Sequence, residues 1–420
     1  MKKIIFFVVL IIVFYTSADS LFVAYDNGPE PSEQGNVPPT QSDGERTAPA
    51  EKKDYIKEQI KAMTLDEKIG QMVMVGIDGY TLGDASRQML EEYHAGGIIL
   101  FKDNIRDAEQ TLSLINALKS TNAINMIPLF LSVDEEGGRV SRMPDEMTNI
   151  PAAKKIGQVN NSDFSFKIGS LIGEELKAFG FNMDFAPVLD INSNPRNPVI
   201  GDRAFGSDPD IVSASGIQNM KGIQSQGIIS VVKHFPGHGD TSTDSHIGLP
   251  SVDNDLQRLQ SFELIPFDNA IRNSADTFMV AHILLPRIDP DYPASFSKKI
   301  ITGILRENLK FDGVVFTDDM TMGAIINNYD IGNAAVLSVN AGSDIILICH
   351  DNDKQVTVIN SLREAAESGS ISMERIDASV YRILSLKRAY AITDETVKSI
   401  DIKAINNKIS TTLNSYLKEK

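Results

Sequence analysis

Eight short apolar runs, rich in β-branched residues, punctuate the chain between Gln71 and His350. They cover residues 72–77, 97–101, 129–133, 183–189, 228–233, 278–282, 314–317 and 345–348. Longer stretches with helical periodicity separate most of them, such as residues 108–118, 165–178 and 333–341. A strand that is apolar almost throughout must be covered on both faces, which a parallel sheet sheathed in helices provides. Eight such units predict an α/β fold of the closed (β/α)8 TIM-barrel type, and a span of roughly 340 residues suits that barrel with loop insertions. The alternative is an open doubly wound sheet, but no G-x-G-x-x-G follows any of the runs.

Ionisable residues collect where such a barrel keeps its chemistry, at the carboxyl ends of the strands. Asp134 ends the third run, Asp190 the fourth, Lys233 and His234 the fifth, His282 the sixth, and Asp318 with Asp319 the seventh. A single acid there could simply cap the following helix, and capping of a helix beginning near Met322 stays open for Asp318 and Asp319. Five strand ends with ionisable groups exceed what capping requires.

Three of the six histidines fall within residues 234–246, in the run KHFPGHGDTSTDSH that starts at Lys233. His234 and His238 are four apart, the spacing of a zinc-binding helix, but Pro236 and Gly237 between them disfavour a helix and the lone Cys349 offers no paired thiolate. No metal is therefore expected. Asp244 and His246, two apart on a loop, suit an orienting carboxylate and an imidazole acid/base: the carboxylate fixes the tautomer and leaves the other ring nitrogen for proton transfer. Asp318 at the rim of an apolar barrel suits a nucleophile or an electrostatic partner for a cationic transition state. One carboxylate nucleophile and one titratable acid/base are the minimum for double displacement at an acetal carbon.

The flanks have a different character. Lys2 and Lys3 precede an apolar run over residues 4–15 and the small residues Thr16, Ser17 and Ala18, so residues 1–24 are expected to be a signal peptide or an N-terminal anchor. No cysteine follows to take a lipid, and the expected location is secreted or bound to the cell envelope. Residues 25–53, rich in Pro, Gly, Glu and Ser, are expected to be a disordered linker. The catalytic domain is expected over residues 54–392, opening with a helix to about Met63 and then a capping box at Thr64 and Glu67. A last amphipathic helix is expected over residues 376–391, and a polar helical tail over residues 393–420. A net charge of −16 argues against nucleic acid or an anionic membrane as partner.

Three segments, KHFPGHGDTSTDSH (233–246), VDEEGGR (133–139) and FTDDM (316–320), closely resemble glycoside hydrolase family 3, and within it the β-N-acetylglucosaminidase branch. The resemblance runs from about Tyr55 to about Ala391 and implies the (β/α)8 barrel that the strand pattern predicts independently. It implies Asp318 as nucleophile and the Asp244–His246 pair as acid/base. Substrate contacts carry over to Asp134, to Arg142 just downstream, to Arg203 of GDRAFG, and to Lys233 and His234. The residues after 392 leave no room for the second α/β domain that some members carry, so the barrel is expected to supply the whole site.

The resemblance thus implies a retaining exo-β-N-acetylglucosaminidase without a cofactor. Its partner would be a carbohydrate, an N-acetylglucosamine-terminated glycan or muropeptide. Four alternatives stay open: a phosphorylase using the same dyad, a β-glucosidase of the same family, a metal hydrolase, and a sugar-binding wall protein without activity. Product analysis with phosphate, paired glycoside assays, chelators and turnover of a chromogenic glycoside separate them.

Overall fold

The computed structural model describes residues 54–417. The signal or anchor over residues 1–24 and the linker over residues 25–53 lie outside the described residues, as do residues 418–420. Two short helices, Tyr55–Ala62 and Leu65–Gln71, open the described chain. The capping box forms: the Thr64 hydroxyl accepts from the Glu67 N–H at 3.2 Å while the Glu67 carboxylate accepts from the Thr64 N–H at 2.7 Å.

Eight parallel strands follow: β1 Val73–Gly76, β2 Gly97–Leu100, β3 Phe130–Val133, β4 Met183–Asp184, β5 Ile229–Phe235, β6 Thr277–Val280, β7 Val314–Asp319 and β8 Ile345–Ile348. Each pairs with the next in sequence, and β8 returns to β1, so the sheet closes into a barrel. Long helices, among them Ala108–Asn122, Ser162–Phe179, Pro209–Ser225 and Asn352–Glu367, bury their apolar faces against its outside. The predicted TIM barrel is thus present, with every expected strand in place.

One strand is shorter than the sequence implies. β4 stops at Asp184 rather than running to residue 189, because Pro187 has no N–H to give to the ladder. A single bridge, Val188 to Lys233, resumes the pairing, and Leu189 N–H donates to the Lys233 carbonyl at 2.6 Å. The chain then turns inward at Asp190, which is fully buried.

Two strands carry an extra residue. On β5, Val232 lies opposite Phe278 and Phe235 opposite Val280, so three steps on one strand match two on the other. On β7, Phe316 lies opposite Ile345 and Asp319 opposite Leu347, with the same mismatch. Successive residues of a regular strand point to opposite faces, and an inserted residue breaks that alternation. Lys233 and His234 accordingly reach one cavity, and so do Asp318 and Asp319.

Beyond the last helix packed on the barrel, Met373–Ala389, the expected tail is helical over Ile402–Tyr416. It is less polar in its contacts than its composition implies, because Ile405 and Ile409 are buried against the body of the protein.

Candidate active site

A cavity of about 500 Å³ opens at the carboxyl end of the barrel. All eight residues proposed from sequence line it: Asp134, Arg142, Arg203, Lys233 and His234 from the binding set, and Asp244, His246 and Asp318 from the catalytic set. A larger cleft of about 670 Å³ lies at the opposite end, beside the start of β7. Two of its acids are already engaged, Asp312 by Arg382 and Asp377 by Lys68, both at 2.7 Å, so it does not bring together reactive groups of the kind found at the carboxyl end.

One wall is a charged lattice built from the end of β3. Lys233 Nζ lies 2.5 Å from Asp134 and 2.7 Å from Glu136, and Glu136 grips Arg203 through both oxygens at 2.7 and 2.8 Å. Burial works against charge on Lys233, Glu136 and Arg203 alike. Their mutual attraction wins for each: Glu136 is held far below the ordinary carboxylate range, and Lys233 and Arg203 are held above theirs. Glu136 is not among the residues that the sequence singles out. Its position two after Asp134 on an extended segment puts both on one side of the chain, which is a signal the sequence does contain.

The loop after β3 turns back on itself through Gly137 and Gly138, at φ of 78° and 59°, a conformation that side-chain-bearing residues rarely adopt. It returns Arg142 to the cavity. The Arg142 N–H donates to the buried Glu135 carboxylate at 2.8 Å, while its Nε has no hydrogen-bond partner among the described residues. A buried guanidinium nitrogen without a partner is costly and would be satisfied by a substrate oxygen.

His234 is fixed from behind. Its Nδ1 lies 2.6 Å from Asp190, whose other oxygen accepts the His238 N–H at 2.6 Å. The carboxylate holds the proton on Nδ1 and leaves Nε2 as an acceptor, which the Arg203 guanidinium meets at 3.4 Å. Burial alone would raise Asp190, but the two histidines hold it below the usual aspartate range. His238, also missed as a functional residue, is walled in: Thr241 meets its Nδ1 at 2.8 Å and Ser245 its Nε2 at 3.2 Å. Burial, with the adjacent His234, drives its pKa down to about 4, so it is a neutral strut inside the loop that leads to Asp244 and His246. Among the described residues no group of three or more His, Cys, Asp or Glu side chains is arranged to hold a metal ion.

Asp244 and His246 sit on that loop, at the mouth. His246 Nδ1 lies 2.9 Å from Asp244 Oδ1, and the ring is two-thirds exposed. Burial raises Asp244 only partly, and the hydrogen bonds from the His246 backbone and ring bring it below the ordinary value. No hydrogen bond among the described residues engages His246 Nε2, and His246 lines the cavity.

Asp318 and Asp319 divide their labour. Asp319 accepts from Thr321 N–H at 2.9 Å, Thr321 Oγ1 at 2.6 Å and Cys349 N–H at 3.0 Å, closing the turn after β7 and tying it to β8. Neither acid caps the next helix, which runs from Gly323 with Met322 before it. Asp318 accepts one hydrogen bond, from the Asp319 N–H at 2.8 Å. Burial would raise its pKa; His282, His234 and that N–H more than reverse this, so the carboxyl ionises below the usual aspartate range. His282 is itself buried and loses its proton more readily than a free imidazole. Near neutrality, therefore, the Asp319 N–H is the firmer support. Asp318 is an ionised, largely unengaged carboxylate lining the cavity, the state that a carboxylate nucleophile requires.

The model of the Glycosyl hydrolase family 3 N terminal domain matches residues 64–386. A β-hexosaminidase from Nitrosomonas eutropha is 37% identical over 297 residues, covering 69% of this chain and 84% of that protein. The β-hexosaminidase A of Pseudoalteromonas piscicida is 36% identical over 331 residues, covering 73% of this chain; the chain spans 55% of that relative's length. Among solved structures, a glycoside hydrolase family 3 β-N-acetylglucosaminidase from Paenibacillus sp. str. FPU-7 superposes with a TM-score of 0.80 at 40% identity, covering 84% of this chain and 69% of that one. With the family's region spanning the whole barrel and the three quoted motifs meeting in one cavity, the chain belongs to glycosyl hydrolase family 3.

Proposed function

We propose that this glycoside hydrolase of the β-hexosaminidase type is a retaining exo-β-N-acetylglucosaminidase. The observation that carries the proposal is the placing of an ionised Asp318 and the Asp244–His246 pair on one cavity. Asp318 attacks the anomeric carbon as the bond to the leaving oxygen breaks, and His246 gives that oxygen its proton. The neutral His246 then takes a proton from water, which attacks the glycosyl–Asp318 ester and releases the sugar with its configuration retained. The lattice of Asp134, Glu136, Lys233 and Arg203, with His234 and Arg142, supplies donors and acceptors for the hydroxyls of one sugar. A closed wall of this kind favours a terminal residue over the middle of a chain. The signal-like residues 1–24 support a location outside the cytoplasm, and with it wall fragments ending in N-acetylglucosamine as the natural substrate.

The test is a paired assay on nitrophenyl β-N-acetylglucosaminide and nitrophenyl β-glucoside. The first should lead by at least about tenfold in kcat/KM, roughly 1.4 kcal/mol of discrimination. A preference for the glucoside would move the chain to a different specificity within the family.

A further inference from the structure

The match to the family ends at residue 386, yet the chain continues as an ordered extension fastened at successive points. Asp394 accepts from the Asn122 side chain at 2.7 Å and from the Leu129 N–H at 3.0 Å. Val397 and the Asn116 amide exchange two hydrogen bonds, at 2.8 and 2.9 Å. The helix Ile402–Tyr416 then lies along the helix Ser162–Phe179, with Tyr416 stacked on Phe164 at 4.8 Å.

From that helix Asn406 reaches the loop after β3. Its Nδ2 donates to the Glu146 carbonyl at 2.8 Å, and its Oδ1 accepts the Thr148 N–H at 2.7 Å. One side chain thereby holds two backbone groups of a segment that has no helix or strand of its own to satisfy them. The hold passes inward in two steps. Asn149 donates to the Gly138 carbonyl at 3.0 Å and the Gly138 N–H donates to the Ile150 carbonyl at 2.7 Å, so residues 149–150 fix the Gly137–Gly138 turn. That turn sets Glu136, whose N–H donates to the Val140 carbonyl at 2.9 Å, and it leads directly to Arg142.

We propose that the extension after residue 392 is a strap that holds the substrate-binding loop in register, with Asn406 as a positioning residue for Arg142 and Glu136. The proposal rests on the sugar-binding role given to those two residues above. Asn406 touches no substrate; it acts through the loop.

The experiment uses the full chain and three variants. Asn406→Ala removes both hydrogen bonds, Asn406→Asp keeps the acceptor for Thr148, and Lys408→Ala, on the helix that carries Asn406, breaks a pair with Glu174 of the helix Ser162–Phe179 without touching the loop. Asn406→Ala should raise KM for nitrophenyl β-N-acetylglucosaminide by about five- to tenfold with kcat within about twofold, the pattern of lost binding rather than lost chemistry. Asn406→Asp should fall between it and the wild type, and Lys408→Ala should match the wild type. Amide exchange over residues 138–150 should quicken by about tenfold in Asn406→Ala, with β5 and β7 unchanged. The effect on KM should largely vanish when Arg142 is already alanine, because both changes remove the same grip. The strap is refuted if Asn406→Ala behaves like Lys408→Ala, if exchange quickens equally throughout, or if its effect adds fully to that of Arg142→Ala. Failure of the wild type to turn over the glycoside would overturn the functional proposal instead, and the exchange measurement, which needs no substrate, would still decide the strap.

Discussion

The α-carbon of Gly323 lies against the backbone carbonyl of His246: a Cβ built on Gly323 would stand 2.5 Å from that oxygen. The Gly323 N–H donates to the same carbonyl at 3.3 Å, and the Ala324 N–H donates to the Ser245 carbonyl at 3.0 Å. The helix after β7 is therefore the seat of the loop that carries Asp244 and His246. No part of this contact is visible in the sequence, where Gly323 and His246 stand 77 positions apart.

Gly323→Ala should consequently behave as a mutation of the acid/base. Alanine is a better helix former than glycine, so local propensity favours the change. The added methyl must push the His246 carbonyl away, and a displacement near 1 Å at a catalytic group can cost on the order of 10²-fold in rate. We expect kcat/KM on a natural oligosaccharide to fall steeply while the melting temperature stays near that of the wild type. Undiminished turnover would mean that the loop has another seat.

His246→Ala should discriminate between leaving groups. An alkoxide leaving group needs a proton, which the proposed mechanism draws from His246 Nε2, whereas a nitrophenolate departs without one. The loss should be larger by about 10²-fold on a disaccharide than on a nitrophenyl glycoside, within the usual range for general acid catalysis. Asp244→Ala should show the same pattern in weaker form, since it removes the partner 2.9 Å from Nδ1 but leaves the ring. Equal losses on both substrates would remove His246 from the role.

Asp318→Ala and Asp319→Ala should part in kind as well as size. Asp318 accepts one hydrogen bond and serves the cavity, so its loss should abolish turnover by about 10³-fold or more and leave folding intact. Asp319 accepts three, from Thr321 and Cys349, so its loss should lower the melting temperature and cut activity less. Labelling with a slow fluorosugar and peptide mapping checks the first directly. A tagged peptide without Asp318 would reassign the nucleophile.

Much of this architecture is legible in the sequence because its causes are local. Apolar β-branched runs at regular intervals leave few options besides a covered parallel sheet, and ionisable residues at the ends of such runs point to the barrel mouth. The expected length of β4 fails because apolar composition continues to Leu189 while Pro187 removes a ladder donor. Composition alone does not reveal the pairing of charges. Glu136 and Asp190 lie among or beside the residues singled out, yet their roles depend on which partner the fold brings within 3 Å: Arg203, 67 positions from Glu136, and His234, 44 positions from Asp190. The bulges on β5 and β7 are hidden for a similar reason. An extra residue is defined only against the neighbouring strand, and a single sequence does not contain that register.

A last expectation concerns stability rather than turnover. Glu175, on the inner face of the helix Ser162–Phe179, is buried without a cation among the described residues and lies close to two further buried acids, Glu135 and Asp184. Burial first, and then the proximity of Glu135 and Asp184, raises Glu175 well above the ordinary glutamate range; burial raises Glu135 to about 7. Below the unfolded value of 4.5 the folded and unfolded chains both hold these protons and no penalty exists. As pH rises past it, the unfolded chain releases protons that the folded chain must keep, so stability falls with rising pH. Glu175→Gln mimics the protonated form and has no proton to lose. It should match the wild type near pH 4.5 and melt a few degrees higher at pH 8, with the gap widening in between. Thermal melts of both proteins across that range decide the matter, and a gap of constant size would show that Glu175 is already ionised in the fold.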